Sequence, residues 1–326
     1  MKSQSTKIMV AATMAIFLYG CDGGANDGGT NDVPPPEEPT TGTITISLTD
    51  DPWEDAMEMV LHVTGIEMGH ADGSVIMHEM AGGGMSIDMM QLQNGEFSML
   101  ADNVEVPMGQ YEWMRLMIDP SQSHIDLAST GGRHGMQMGS DAVNGLEVEH
   151  AFETGQSQHS EFMLDFDIRR GVQHHDTGMM GGEYRLHSAM RMIDMGESGG
   201  LMGAVDSSMI DINHPDCDDA PGGNWAYLFH GDVNEPDDIS DVDTDGMPGP
   251  IAADRIDMDT MTGEHRYHFG YLDPGQYRMA ITCSGEWDEV GDDDHPADPD
   301  GEFSFQMYSD VMEVMPGQMH ENDMTP

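Results

Sequence analysis

The chain has 326 residues, and 61 aspartate and glutamate residues outnumber 11 lysine and arginine residues, for a net charge of −50. Such a charge repels nucleic acids and anionic membrane surfaces and attracts cations, so the composition argues against nucleic acid as a partner. An acidic, lysine-poor surface also suits a salty habitat. No His-Glu-x-x-His, Gly-x-Ser-x-Gly or phosphate-loop motif occurs, and the sequence therefore predicts a protein that is not an enzyme.

Residues 1–20 have the layout of a secretory signal peptide. A start with two lysines precedes an apolar stretch from Ile8, which is too short to span a bilayer comfortably. The stretch closes with Leu-Tyr-Gly at residues 18–20 and then Cys21, the arrangement of a bacterial lipoprotein signal. An ordinary signal peptide with a chance cysteine is the alternative, and Tyr19 is unusual at its place. We expect Cys21 to carry a lipid that anchors the protein in the cell envelope, at the outer membrane or the periplasmic face of the inner membrane.

The segment behind the anchor changes character at residue 42. Residues 21–41, from the lipidated Cys onward, are rich in Gly, Asp, Asn and Pro and lack apolar periodicity, which predicts a disordered tether. Residues 43–48 then alternate, which predicts a strand with Ile44, Ile46 and Leu48 inward. Similar short runs bounded by Gly, Pro and Asp recur along the chain, as is typical of an all-β sandwich.

The run Gly-Glu-Ser-Gly-Gly at residues 196–200 is the predicted linker between two units. We predict two tandem β-sandwich domains, at residues 42–195 and 201–316, followed by a tail at residues 317–326. A short repeated sequence links them, since Gly-Gln-Tyr follows Pro274 directly and follows Pro107 after one intervening residue. A turn of this kind, leading into an aromatic strand start, is favourable turn chemistry.

Five blocks of sequence resemble a known family. Residues 42–52, 63–67, 87–95, 107–111 and 164–170 are similar, in this order, to the bacterial lipoproteins that carry the domain of unknown function 4382. The C-terminal unit, with Cys217, Cys283 and Tyr-Leu-Asp-Pro-Gly at residues 271–275, resembles the second domain often attached in this family, a prealbumin-like or carboxypeptidase-regulatory-like β-sandwich. The resemblance implies an exported, anchored β-sandwich protein, and it supplies neither an activity nor catalytic residues. The chain departs from the family in its enrichment in Met and His.

Cys217 and Cys283 are the two cysteines that remain once Cys21 is lipidated. An exported protein meets an oxidising compartment, so we predict a disulfide between them. Closing that loop of about 66 residues would contribute roughly 4 kcal/mol by the chain-entropy relation. A metal site built on the two cysteines is the alternative, but no Cys-x-x-Cys spacing supports it.

Methionine is overrepresented, with 34 residues against 13 leucines. Met114, Met190 and Met192 alternate with other residues along predicted strands, so we expect them to fill the core in place of Leu. Met136, Met138, Met179, Met180 and Met319 instead fall in stretches that we predict to be Gly-rich polar loops. Methionines exposed in such loops would be available to bind a soft metal ion or to scavenge oxidants.

Histidine accompanies methionine in several places, and imidazole with thioether sulfur suits Cu(I) or Ag(I). The residues that this hypothesis assigns to a soft-metal site are His78, Met80, His134, Met136, Met138, His174, His175, Met179 and Met180.

Asp241, Asp243 and Asp245 have the spacing of oxygen ligands that opens a calcium loop, and a glycine follows them. The twelfth position of the loop is Ala252 rather than Glu, so the motif is not an EF-hand. A solvated acidic loop is the alternative reading.

The sequence therefore predicts a non-enzymatic, exported lipoprotein that binds a ligand or a protein or glycan partner and contacts the membrane through its N-terminal lipid. The first alternative is a periplasmic or surface protein that buffers Cu(I) or Ag(I) through Met and His. The second is a calcium-stabilised module of the adhesion type. Calcium and Cu(I) are accordingly the candidate cofactors.

Overall fold

The computed structural model of the protein describes residues 40–50, 56–92, 95–129, 131–175, 183–210, 223–234, 236–239, 249–285, 288 and 303–325. Within these residues almost all regular structure is β-strand, with short 3-10 turns and one short α-helix, α1 (Ile168–Gly171). No helix in the described residues is long and apolar enough to cross a membrane. The strands, in chain order, are β1 (Thr41–Asp50), β2 (Ala56–His70), β3 (Val75–Glu79), β4 (Met85–Asp88), β5 (Ser98–Pro107), β6 (Gly109–Ile118), β7 (His124–Leu127), β8 (Gly132–Met138), β9 (Leu146–Val148), β10 (Phe152–Thr154), β11 (His159–Phe166), β12 (Val172–His175), β13 (Glu183–Leu186), β14 (Met190–Asp194), β15 (Gly199–Val205), β16 (Trp225–His230), β17 (Ala252–Arg255), β18 (Asp257–Met258), β19 (His265–Leu272), β20 (Gly275–Thr282), β21 (Met307–Tyr308), β22 (Met312–Val314) and β23 (Met319–Glu321).

The N-terminal lobe, residues 40–194, contains two β-sheets. The first has the strand order β14-β11-β1-β5, and β1 runs parallel to β11 with Ile46 opposite Phe162. The second has the order β10-β6-β2-β7-β8-β13-β12, with β3 and β4 added to β2 and β9 added to β6. The long strand β2 organises this second sheet, because it pairs along its length with β7, β4, β6 and β3.

Strand β1 confirms the alternation expected from the sequence. Ile44, Ile46 and Leu48 are fully buried, and burial of each such side chain stabilises the fold by about 1.5–3 kcal/mol. The same core takes up Met114 and Met192, so these methionines fill space in place of Leu, as predicted. One continuous core therefore joins the two sheets of the lobe.

The C-terminal lobe, residues 199–325, packs two smaller sheets, with the strand orders β18-β19-β15-β23 and β17-β16-β20-β21; β22 also pairs with β20. Alternate residues of β16 face opposite sides of its sheet. Ala226 and Leu228 enter the core between the sheets, whereas Trp225, Tyr227 and Phe229 join an aromatic cluster on the other face. Both faces of this strand are therefore covered.

The two lobes have separate hydrophobic cores within one compact unit, residues 39–326. The predicted all-β fold of sandwich type is confirmed. Residues 317–326, expected to be a tail, instead contribute β23 and the buried Met324 to the C-terminal lobe. The remaining domain boundaries stay predictions. The signal peptide and Cys21 lie outside the described residues, as does nearly all of the tether.

Candidate functional site

Arg169 extends from the N-terminal lobe into the C-terminal lobe. Its helix α1 is capped by Asp167, whose side chain accepts a hydrogen bond from the main-chain nitrogen of Arg170 at 3.2 Å. Arg169 Nη1 donates to the Tyr227 hydroxyl at 3.0 Å, and Nη2 donates to the main-chain oxygen of Asp288 at 2.6 Å. The Asp288 carboxylate lies 3.6 Å from Nη2 and also accepts a hydrogen bond from Tyr227. Arg169 thus joins the two lobes.

This contact between the lobes is almost completely shielded from solvent. The Arg169 and Asp288 side chains are 6% and 0% exposed. Burial raises the pKa of Asp288, although the positive charge of Arg169 opposes that shift. The main-chain nitrogen of Ile239 donates to the same carboxylate at 3.1 Å. Because a buried ion pair is costly to break, the contact holds the lobes together.

A small open cleft lies between the lobes. The N-terminal lobe contributes the ends of β1, β11 and β14 and the residue Gly95, and the C-terminal lobe contributes β17 and β19. Three aspartates and one arginine line it, so the cleft is acidic. Its lining residues are Thr49, Asp50, Gly95, Asp165, Arg191, Ala253, Asp254, His268, Phe269, Gly270 and Tyr271.

Asp165 and Arg191 face each other across β11 and β14, where they form a registered pair. Arg191 Nε donates to Asp165 Oδ2 at 2.7 Å, and Nη2 contacts the same oxygen. The other oxygen, Asp165 Oδ1, is buried and has no hydrogen-bond partner among the described residues. The Asp165 side chain is only 5% exposed. A buried acceptor without a donor therefore lines the cleft.

Asp254 supplies a second buried carboxyl group from the opposite lobe. Its Oδ2 accepts a hydrogen bond from the main-chain nitrogen of His268 at 2.6 Å. Burial raises the pKa of Asp254 to about 7, and the nearby charge of Asp257 acts in the same direction. Burial also lowers the pKa of the His268 ring. Near neutral pH, a small change in the surroundings of Asp254 is therefore enough to change its charge.

Tyr271 connects the cleft walls through its side chain and its backbone. Its hydroxyl donates to the main-chain oxygen of Gly95 at 3.0 Å, and its own main-chain oxygen accepts from Arg191 at 3.2 Å. Its φ of +51° lies in the left-handed region, which costs a residue with a side chain about 1–3 kcal/mol. The contacts from the N-terminal lobe hold Tyr271 in this conformation at the edge of the cleft.

The chemistry of the cleft favours a ligand that donates hydrogen bonds. Carboxylate oxygens are acceptors, and Arg191 is already engaged with Asp165 and Tyr271. In the described part of the chain, no group of three or more His, Cys, Asp or Glu side chains is arranged to hold a metal ion. The carboxylates of the cleft can therefore accept hydrogen bonds from the N–H groups of a ligand.

The structure corrects the interpretation of Met136 and Met138 as loop residues. Both lie on strand β8, where Met136 is 4% exposed and Met138 packs against the same core. Met80 is also a core residue at 7% exposure. The side chains of Met80, Met136 and Met138 therefore pack in or against the core, a role that the sequence analysis did not assign to Met136 and Met138. Met319 likewise lies on a strand, β23, but is 45% exposed.

The predicted histidines lie on strands of the second sheet. His78 lies on β3, and His174 and His175 lie on the edge strand β12. His134 and His174 flank Tyr184, with ring centroids 4.8 and 5.0 Å from it. The structure therefore brings His134 and His174 to the same tyrosine.

Other predicted site residues lie outside the described residues, namely Cys21, Met179, Met180, Cys217, Asp241, Asp243 and Asp245. Cys283 is described and is buried, with 3% exposure. The disulfide, the calcium loop and the methionines at residues 179 and 180 therefore stay predictions.

Sequence reasoning did not group the cleft residues into one site. A local signal was present for Asp165, since it interrupts the otherwise apolar stretch at residues 162–166. A charged residue within a fully buried strand requires a partner, and Arg191 is that partner. No signal placed Asp254 beside Asp165, because an aspartate is unremarkable in a chain with so many acidic residues.

Solved structures similar to this chain are distant from it. The Bacillus anthracis TIE protein is 8% identical with a TM-score of 0.18, and the match covers 88% of this chain and 34% of that protein. A leucine-rich repeat protein from Bacteroides thetaiotaomicron is 10% identical with a TM-score of 0.21, and the match covers 88% and 26%. This chain thus spans about a third and a quarter of their lengths. A putative adhesin from Bacteroides ovatus is 7% identical with a TM-score of 0.19, over 93% of this chain and 99% of the adhesin. TM-scores this low support no argument about fold or function.

No curated protein is significantly similar to this chain. A family model does match it, over most of the N-terminal lobe. The resemblance expected from the five sequence blocks is thereby confirmed for that region. Residues 41–187 match the family described as a domain of unknown function, DUF4382.

Proposed function

We propose that the protein is a non-enzymatic, lipid-anchored protein of the cell envelope that binds its ligand in the cleft between its two lobes. The anchor rests on the signal sequence and on Cys21. The binding role rests on one observation above all: Asp165 lines the cleft, and its buried Oδ1 has no hydrogen-bond partner among the residues that the structure describes.

An unpartnered acceptor of this kind is costly. Leaving a buried polar atom without a hydrogen bond costs about 1–3 kcal/mol, and more when the group is charged. Arg191 neutralises Asp165 through the other oxygen only. A ligand with an N–H group would complete the hydrogen bonding of Asp165, which accounts for the position of this carboxylate in an open cleft.

The two alternative functions have less support. Soft-metal buffering loses Met80 and Met136 as free ligands, because both are packed in the core. The calcium-stabilised module depends on Asp241, Asp243 and Asp245, outside the described residues. The cleft, by contrast, is formed by described residues of both lobes.

A substitution that fills the cleft with a larger side chain tests the binding role. Gly270 lines the cleft, and an added Cβ there would meet only the His268 ring at 3.4 Å, so Gly270→Leu places a side chain into the space without a severe clash. Gly135→Leu is the matched control, since an added Cβ at Gly135 has nothing within 4 Å. Melting temperatures are measured with 1,5-diaminopentane, glutarate and glucose as cationic, anionic and neutral probes.

We expect at least one probe to stabilise the wild type and Gly135→Leu but not Gly270→Leu. If no probe discriminates between these variants, the binding role assigned to the cleft is rejected.

The anchor is tested by changing Cys21 to Ser. The variant should stay unprocessed or become soluble, whereas the wild type should fractionate with membranes. Equal membrane association of the two proteins after detergent-free fractionation would rule out the lipid anchor.

A further inference from the structure

We propose that the protein consumes peroxides at its surface, by reversible oxidation of methionine side chains that the fold holds in solvent. This activity is separate from the cleft and does not depend on the ligand bound there. The residues that carry it are called the surface methionines, and they are Met57, Met77, Met85, Met99, Met108, Met258, Met261, Met315 and Met319.

The apolar side chains that the protein exposes to solvent are mostly methionine. Within the described residues, methionine supplies nine of the fourteen large hydrophobic side chains that are exposed, and leucine and isoleucine supply none of them. Every leucine in the described part of the chain is buried. A side chain in solvent gains nothing from being apolar, so exposure of methionine without leucine points to the sulfur atom rather than to packing.

Regular structure turns several of these thioethers outward. On β3, Met77 is exposed and its neighbours Ile76 and His78 are half-buried. On β5, exposed Met99 stands beside buried Leu100. The pairing of such strands uses main-chain atoms, and successive side chains point to opposite faces. An outward thioether can therefore change chemically while the sheet stays intact.

A second set of methionines is protected by the same fold. These core methionines are completely buried, and a sulfoxide oxygen at any of them would place a polar group in a hydrophobic core. The fold thus separates methionines whose oxidation leaves the structure unchanged from those whose oxidation would disrupt it. The core methionines are Met59, Met68, Met89, Met114 and Met279.

The reaction is a two-electron oxidation of the thioether. The sulfur lone pair attacks one oxygen of hydrogen peroxide, the O–O bond breaks as the S–O bond forms, and after proton transfer the other oxygen leaves as water. Each event converts one methionine into its sulfoxide and one peroxide into one water. Methionine sulfoxide reductases, using two electrons from thiols, return the sulfoxide to methionine. Hydrogen peroxide is uncharged, so the net charge of −50 does not repel it.

Site-resolved mass spectrometry of the folded full chain tests the proposal. The protein is treated with hydrogen peroxide, the reaction is stopped with catalase at intervals, and the sulfoxide fraction at each methionine is measured after digestion. We expect the surface methionines to oxidise at least about tenfold faster than the core methionines, and the rates to converge in urea, where the fold no longer shields the core.

Oxidation of the surface methionines should also be harmless and reversible. The melting temperature should stay at its starting value once they are oxidised, and treatment with the two reductases that act on the two sulfoxide epimers should restore the original mass. The site-resolved rates of the wild type and this recovery need no variant.

A variant with four surface methionines replaced measures their share of the peroxide consumed. It should lose four equivalents of rapid consumption per protein, and it should spare a methionine-containing reporter peptide in the same solution less well than the wild type does. Its substitutions are Met57→Leu, Met108→Leu, Met258→Leu and Met261→Leu.

The matched control removes the same number of sulfur atoms from the core and should leave the rapid phase of consumption unchanged. Its substitutions are Met59→Leu, Met68→Leu, Met114→Leu and Met279→Leu. Equal oxidation rates for surface and core methionines in the folded protein would overturn the proposal. A fall in melting temperature as soon as the surface methionines are oxidised, or sulfoxides that the reductases do not reduce, would overturn it as well.

Discussion

Tyr111 and Tyr277 make the same hydrogen bond at corresponding turns of the two lobes. The Tyr111 hydroxyl donates to the main-chain oxygen of Pro107 at 2.8 Å, and the Tyr277 hydroxyl donates to that of Asp273 at 2.7 Å. In both cases the acceptor lies four residues before the tyrosine. A tyrosine bonded back to upstream backbone is a recurring corner in β-sandwiches. The Gly-Gln-Tyr echo in the sequence therefore has a structural counterpart.

The two corners differ in one respect that can be measured. The Pro107 oxygen also accepts from Thr154 at 2.9 Å, so Tyr111→Phe leaves it bonded, whereas Tyr277→Phe removes the side-chain donor of the Asp273 oxygen. We expect losses of about 1 kcal/mol in the free energy of unfolding for each variant, with the larger loss for Tyr277→Phe. Urea denaturation measures both. Tyr308→Phe, at a half-exposed tyrosine, is the control and should change little.

Removing Arg169 should weaken the junction between the lobes. Arg169→Met leaves Asp288 buried without its cation, and breaking such a pair typically costs about 3–5 kcal/mol. Arg255→Met is the control, because its pair with Asp257 is exposed to solvent and should contribute less than about 1 kcal/mol. Calorimetry measures the change. A double variant, Arg169→Met with Asp288→Leu, should recover part of the loss; equal losses for Arg169→Met and Arg255→Met would contradict the assigned role.

Asp254 should make stability depend on pH in an identifiable window. Its pKa is about 7 in the folded protein against 3.8 for the ordinary group, so between these values the folded state holds a proton that the unfolded state releases. The free energy of unfolding therefore falls as pH rises from about 4 to 7, by at most about 4 kcal/mol from this group. Asp254→Asn removes that contribution. Urea denaturation at several pH values should give a flatter profile for the variant, and parallel profiles would show that Asp254 titrates normally.

The predicted disulfide can be tested directly. Peptides containing Cys217 and Cys283 should be joined in a digest of the non-reduced protein analysed by mass spectrometry. Reduction should cost about 2–5 kcal/mol of stability, the usual effect of losing a disulfide from an exported domain. Free thiols at both positions in protein isolated from the periplasm would reject the pairing.

The soft-metal hypothesis now makes different predictions for two pairs of methionines. Met136 and Met138 are held by packing, whereas Met179 and Met180 stay candidates. The hypothesis predicts that changing Met179 and Met180 to Leu weakens competition with a Cu(I) chelator, while the same change at Met136 and Met138 does not. A wild type that takes no copper even from a weak chelator eliminates the hypothesis.

Local patterns predicted the strands well, and long-range pairing explains what they missed. The alternation of Ile44, Ile46 and Leu48 is a property of one segment and needs no partner to be recognised. Strand β8 looked like a Gly-rich loop because its order comes from β7 and from the distant β13, which pairs with it in parallel. The cleft has the same origin, since Asp165 and Asp254 meet only after the lobes dock. The buried position of Arg169 has the same origin, since its partners Tyr227 and Asp288 lie far along the chain.

The parallel pairs β1–β11 and β15–β23 have a consequence for how the chain acquires its structure. Each joins the first strand of a lobe to a strand about 115–120 residues later in the chain. Such high contact order slows folding, because a long loop must close before the first strand is covered. In a chain that emerges from a membrane pore with its N-terminus first, the edge of β1 that pairs with β11 would stay unpaired for most of the translocation of its lobe. The same holds for the edge of β15 that pairs with β23. Resistance to protease should therefore arise in two late steps, the first when β11 has emerged and the second when β23 has done so.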